Sequence, residues 1–298
     1  MSNKFEDIPF ESNMIPEKME LGSKLKFRCY KGISCFNACC KRADITLTPY
    51  DILRLKDRVG MSSTEFLKEH TVPFHMEQDG LPGVKLRTTD EGACLFVTED
   101  GCSVYSDRPT SCRYYPLGHM AMRKSGEQHE ETHYFLVKED HCKGHDEERE
   151  LSIQEYLKEQ ETVQYDEMNK EWLQIMLKKR SAGSTVGQLP EATLQMFFMC
   201  SYDMDRLRRF VLSDAFKNSY ELEETVYEAL EQEDVPLMQF GIKFMKQAFF
   251  AERTIPEKDK AWEKRVQERD EVWEARRQAE LARHQQAEDD KYKDQDSD

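Results

Sequence analysis

Eight cysteines crowd into one stretch of this chain, and no other feature limits its fold as tightly. They run as Cys29-x5-Cys35-x3-Cys39-Cys40, then Cys94-x7-Cys102-x9-Cys112, then Cys142, while the ninth, Cys200, stands alone in an apolar run. With 298 residues the chain can bury a core that needs no disulfides. The segment from Met1 to Phe27 mixes charges with prolines and has no apolar signal-peptide core, so a cytoplasmic location is expected. In a reducing compartment, crowded cysteines read as metal ligands or redox groups rather than structural disulfides. Thiolates are soft donors, and four of them close one tetrahedral zinc or one iron–sulfur cluster. Eight are numerically enough for two closed sites, or for one site plus spare thiols. Successive side chains diverge, so Cys39 and Cys40 are expected to serve two different centres, or one of them to be a buried structural thiol. Cys200 is expected in the core.

Charge and hydropathy narrow the function classes. The formal net charge is −15, from 43 Lys and Arg against 58 Asp and Glu, which argues against a nucleic-acid partner because phosphate contacts need a basic surface. No run of 18 apolar residues occurs, so no membrane span is expected. A content of 38% hydrophobic and 34% charged residues is low for one compact globule and suggests that part of the chain is solvated helix or tail.

The chain divides into four parts: an irregular lead-in (1–28), a cysteine-rich module (29–150), a helical domain (151–256) and a charged helical or disordered tail (257–298). In the module, Thr48 followed by Pro49 reads as an N-cap with Pro at N1, and the helix should stop near Gly60. Ser62 with Glu65 is a capping box, as is Ser152 with Glu155. Val84–Arg87 and Tyr134–Val137 read as strands, and Glu99-Asp100-Gly101 as a hairpin turn between Cys94–Val97 and Cys102–Tyr105. From Ser152 the apolar spacing is helical to about Arg180, and 181–190 is a linker. Helices are expected at 191–200, 203–212, 221–232 and 236–251, with Phe and Met forming bundle core. Trp262, Val266, Trp273 and Leu281 give the tail a thin apolar stripe. The fold class is therefore α+β, mainly α.

The string Cys102-Ser-Val-Tyr105-Ser-Asp-Arg108-Pro109-Thr-Ser-Cys112-Arg113-Tyr-Tyr115-Pro116 is long and specific. With Cys35-Phe-Asn-Ala-Cys39-Cys40, Asp44-Ile-Thr-Leu-Thr48, Tyr50-Asp51, Gly92-Ala-Cys94-Leu-Phe96 and Cys142, it resembles the YkgJ-type cysteine-cluster family. The resemblance covers residues 29–142 and implies a zinc- or iron-chelating module. Its first cysteine group is more widely spaced here than in the compact form of the family. The metal ligands implied are Cys29, Cys35, Cys39, Cys40, Cys94, Cys102, Cys112 and Cys142, and the cofactor is zinc or iron, an iron–sulfur cluster included.

Around these thiols, Asp107 is expected to cap a short helix that holds Cys112 near backbone N–H groups and lowers its pKa. Arg108 and Arg113 would offset thiolate charge or pair with Asp107 and Glu99, and Tyr105 and Tyr115 would wall the site from water. His141 and His145 are candidate extra ligands. No Walker loop, GxGxxG, GxSxG or HExxH occurs, so no catalytic residue is named. The leading function is a metal-chelating protein. The alternatives are an iron–sulfur redox or methyltransferase-related protein, since proteins similar to the family include a flagellin lysine methylase, and a metal-stapled interaction protein that recruits a partner through its helical half or tail.

Overall fold

A computed structural model describes residues 14–76, 80–123, 130–181 and 190–259, with residues 274 and 278 helical in the tail. The tail stripe of Trp262, Val266, Trp273 and Leu281 lies outside the described residues, as does most of the expected linker. The architecture is α+β and mainly α: short antiparallel strands in small sheets precede a helical region. Among the described residues no helix is long and apolar enough to cross a membrane.

The lead-in is more ordered than its composition suggests. Strands β1 (Met14–Met19) and β2 (Lys24–Lys26) form where irregular chain was expected. Strand β1 pairs with β8 (Glu130–Val137), which pairs with β7 (Leu117–Arg123), so β1 is an edge strand. An edge tolerates Pro16, and the register shifts between Ile15 and Met19. Strand β2 pairs with β9 (Glu150–Ser152), placing Leu25 opposite Leu151. Strands β3 (Thr71–His75) and β4 (Pro82–Leu86) form one hairpin, and β5 (Val97–Thr98) and β6 (Gly101–Cys102) another around Glu99-Asp100.

Helix α1 (Pro49–Val59) starts on a complete capping box between Thr48 and Asp51 and ends on Gly60 at φ 70°, the left-handed cap that glycine takes without strain. Helix α2 (Ser63–His70) starts on the Ser62–Glu65 box. After the short α3 (Thr110–Tyr114), helix α4 (Ile153–Glu159) starts on the Ser152–Glu155 box. The helix expected to run to Arg180 is broken: Glu161 takes φ 55° and α5 (Thr162–Ser181) starts afresh. Then come α6 (Glu191–Tyr202), α7 (Met204–Val211), α8 (Asp214–Ser219), α9 (Glu224–Gln232) and α10 (Asp234–Phe250). Helix α8 was not expected, and α9 begins three residues later than the apolar spacing suggested.

One apolar core runs through both halves of the chain. It joins Leu55, Phe66, Val84 and Phe96 of the module to Trp172, Phe197, Leu207, Leu237 and Phe244 of the helices. Cys200 is fully buried in it, as expected. Helix α10 is the hub, packed against α1, α5, α6, α7 and α9. Polar contacts cross the same seam. Lys56 Nζ pairs with Asp234 at 2.5 Å, and Trp172 donates to Ser201 Oγ at 3.0 Å within the helical half.

The starts of α2 and α7 cap each other. Asp205 N donates to Ser63 Oγ, and Thr64 N donates to Asp205 Oδ2, both at 2.9 Å. Asp203 Oδ1 accepts from the Ser63 and Thr64 hydroxyls and from Arg206 N. Each helix thus supplies acceptors for the free N–H groups of the other. A second, smaller core of Leu25, Phe27, Tyr114, Leu117, Tyr134, Ile153, Tyr156 and Leu157 lies under the loop that carries Cys142.

Candidate metal centre

Five neighbouring stretches of chain carry the eight thiols. Cys29 follows β2, and Cys35, Cys39 and Cys40 sit in a tight-turned loop whose last turn spans Ala38–Cys40. Cys94 precedes β5, Cys102 ends β6, Cys112 is on α3, and Cys142 follows β8. The stretches are stitched by backbone hydrogen bonds. Cys94 N donates to Cys40 O at 2.8 Å, and Asn37, held left-handed at φ 65°, donates from Nδ2 to Thr98 O at 2.9 Å. Arg28 N donates to Gly144 O at 3.0 Å, drawing the Cys29 segment against the Cys142 loop. A Cβ at Gly144 would lie 2.6 Å from the Phe27 ring and 2.9 Å from Arg28 O, so only glycine allows that approach.

Electrostatic neighbours differ among the thiols. Cys29 is pushed up to about 11, first by the protein packed around its thiol and then by Cys39, Cys35 and Cys142. The thiols of Cys40, Cys94, Cys102 and Cys112 are also raised. For Cys40 the first cause is its hydrogen bond to Cys39, followed by burial and by Cys39, Cys112 and Cys94. For Cys112 burial leads, with Cys94, Asp51, Cys102 and Cys39 following. Burial likewise leads for Cys94 and Cys102. Cys29 thus feels Cys35 and Cys142, whereas Cys40 and Cys112 feel Cys94. Cys39 bears on both, and its Sγ is 3.9 Å from that of Cys40. The hydrogen bond shared with the Cys40 thiol holds Cys39 down to about 7.

As placed, no three Cys, His, Asp or Glu side chains among the described residues stand close enough to hold a metal ion between them. The donor set nevertheless has the chemistry of a thiolate metal site. Backbone N–H groups turn onto sulfurs: Lys143 N lies 3.2 Å from Cys35 Sγ, Phe96 and Val97 face Cys94, and Val104 faces Cys102. Such donors stabilise thiolates far more than neutral thiols. Mutual repulsion and burial raise most of the thiols, and a cation is what would offset both.

Several expected roles fall elsewhere. Asp107 does not cap the helix that bears Cys112. It takes the Arg54 guanidinium instead, with Nε at 3.0 Å, and a hydrogen bond from Ser106. The cap comes from Asp51, fully buried on α1, whose Oδ1 accepts Thr110 N at 2.8 Å and Thr110 Oγ1 at 2.7 Å. The Cys112 thiol is raised, not lowered, by burial first and then by Cys94 and the Asp51 carboxylate. Arg113 is 1% exposed and pairs with neither Asp107 nor Glu99. It donates to Arg108 O, to Gln160 O at 2.8 Å, to Ser106 O and to Tyr165 Oη, with its cation 4.1 Å over the Tyr165 ring. Arg108 does bear on the thiols, pulling Cys102 down, while bonding Tyr105 O and Gln160 Oε1. Tyr105 is 60% exposed and walls nothing, whereas Tyr115 is half-buried beside Cys142. His145 packs on Phe27 and meets Val137 O at 3.2 Å through Nε2, and His141 lies 3.6 Å from Glu139.

Asp51 and Glu139 are the site neighbours that sequence reasoning passed over. Asp51 was readable as the N3 partner of Thr48, but its reach to Thr110 spans 59 positions. Glu139, which bears on both Cys39 and Tyr115, carries no local signal.

The soft donors on neighbouring loops make this segment a cysteine-rich, thiol-bearing module. Residues 28–143 match the model of the CxxCxxCC family, whose description is "Putative zinc- or iron-chelating domain", and over this segment the chain is similar to that family. The match spans well under half of the chain and supports metal binding. The family name writes C-x2-C-x2-C-C, where this chain spaces Cys29, Cys35 and Cys39-Cys40 more widely. Neither the curated proteins nor the solved structures contain a match.

Proposed function

We propose that this chain binds zinc or iron through the thiolates of Cys29, Cys35, Cys39, Cys40, Cys94, Cys102, Cys112 and Cys142, as two neighbouring centres. What supports the reading is the set of eight free thiols on loops tied together by hydrogen bonds, within a segment that matches a putative zinc- or iron-chelating domain. Cys29, Cys35, Cys39 and Cys142 would form one ligand set, and Cys40, Cys94, Cys102 and Cys112 the other. Bound metal would cross-link distant stretches and, if iron or an iron–sulfur cluster, would supply electron-transfer chemistry. The chain's own residues hold the loops in reach, aim N–H groups at sulfur and set Arg108 beside Cys102. Free thiols on all nine cysteines suit a reducing compartment, in keeping with a cytoplasmic location.

Elemental analysis with an absorption spectrum on anaerobically purified protein tests this. The expected result is two equivalents of metal per chain, colourless for zinc or with sulfur-to-iron charge-transfer bands for iron. A folded protein free of both metals overturns it.

A further inference from the structure

The Tyr115 hydroxyl is buried and, among the described residues, completes no hydrogen bond of good geometry. The groups it faces are Cys142 and Glu139. The residue cannot swing its hydroxyl to water cheaply. Its N donates to Ser111 O at 3.2 Å, its O accepts from the Tyr156 hydroxyl, and its ring meets Phe27 edge-on at 6.2 Å. A buried hydroxyl left unpaired costs on the order of 1–3 kcal/mol, so a placement fixed this firmly calls for an acceptor.

Of the two candidates, Glu139 is exposed and already near His141, with solvent to satisfy it. Cys142 is half-buried and packs with Tyr115 on the smaller core. A neutral thiol is a weak acceptor, whereas a metal-bound thiolate keeps negative charge and accepts strongly. Resting on the reading of Cys142 as a ligand, we propose that the Tyr115 hydroxyl donates to the metal-bound Cys142 sulfur and is a positioning residue of the first centre. It orients that sulfur and stabilises the thiolate form, as outer-shell donors do at metal sites.

Cobalt(II) titration of the full chain under anaerobic conditions tests this through the sulfur-to-cobalt charge-transfer band. In Tyr115→Phe one of the two equivalents should bind about 10-fold or more weakly, with its band at lower energy because the sulfur has lost a donor. Cys142→Ser should abolish the same equivalent, and adding Tyr115→Phe to it should change nothing more. Should the Phe variant fold poorly, 3-fluorotyrosine placed at position 115 keeps the shape and donates more strongly, so the band should move to higher energy. Unchanged affinity and band in Tyr115→Phe, no shift with the fluorinated residue, or the same loss reproduced by Glu139→Gln each overturn the proposal. Wild-type protein that takes up no cobalt instead removes Cys142 as a ligand and defeats the underlying reading.

Discussion

The carboxylate of Asp51 accepts the backbone N–H of Thr110 at 2.8 Å, so a residue in the first turn of α1 caps the helix that bears Cys112. The same side chain closes the box with Thr48 N at 2.9 Å. Two helix starts therefore depend on one buried group. Asp51→Ala leaves donors at both unpaired and should destabilise the protein by roughly 3 kcal/mol. A urea midpoint within error of wild type would refute the double-cap role.

Arg113 sets its guanidinium among backbone carbonyls of Ser106, Arg108 and Gln160 and bonds Tyr165 Oη. Lysine keeps the charge but cannot reproduce a planar fork that reaches four acceptors. We expect Arg113→Lys to cost about 3 kcal/mol and to lower the thermal midpoint clearly. An unchanged midpoint would show that the fork is dispensable.

Asp234 bridges Lys56 and Arg208, joining α1 and α7 to the start of α10. Burial opposes its charge, but Lys56 and Arg208 outweigh it and hold the carboxyl below its usual 3.8. The stabilisation is therefore complete above 3.8 and is lost as pH falls through the lowered folded value. Lys56 is raised above its usual 10.5, since Asp234 and Asp57 outweigh its burial, so its share is lost as pH rises past that range. Asp234→Asn should cost about 2 kcal/mol at neutral pH, less than a fully buried pair because Asp234 is partly exposed. Its stability-versus-pH curve, measured by denaturant unfolding, should be flatter than wild type at the acid end; parallel curves would contradict the pairing.

Gly144 holds the Cys142 loop against Phe27 and Arg28. Gly144→Ala must push these segments apart, at about 2 kcal/mol. The metal equivalent assigned to Cys29, Cys35, Cys39 and Cys142 should be weakened, while the one assigned to Cys40, Cys94, Cys102 and Cys112 is retained. Equal loss of both in a metal titration would argue that the thiols form one undivided site.

What the chain revealed in advance was local. Two capping boxes, the Thr48 N-cap, the hairpin at Glu99-Asp100 and the burial of Cys200 were readable because each depends on residues a few positions apart or on one apolar run. Helix α8 was missed although Ser213 caps it by accepting Phe216 N, since six residues give too short a period to detect. Asp51 took the capping role expected of Asp107 because the choice between them is made across the fold, by Arg54 and Thr110. The grouping of thiols was hidden for the same reason: Cys142 lies 107 positions from Cys35, yet Lys143 N reaches the Cys35 sulfur.

The crosswise caps between Ser63, Thr64, Asp203 and Asp205 also set a clock. Ser63 and Asp205 are separated by 142 positions, and a ribosome adding about 5–20 residues per second needs on the order of ten seconds to make that stretch. Every thiol from Cys29 to Cys142 has been synthesised before the partners of α2 exist. For that interval the cysteine segment is a nascent chain without its helical backing, and any metal it meets then must be held by a structure still waiting for its other half.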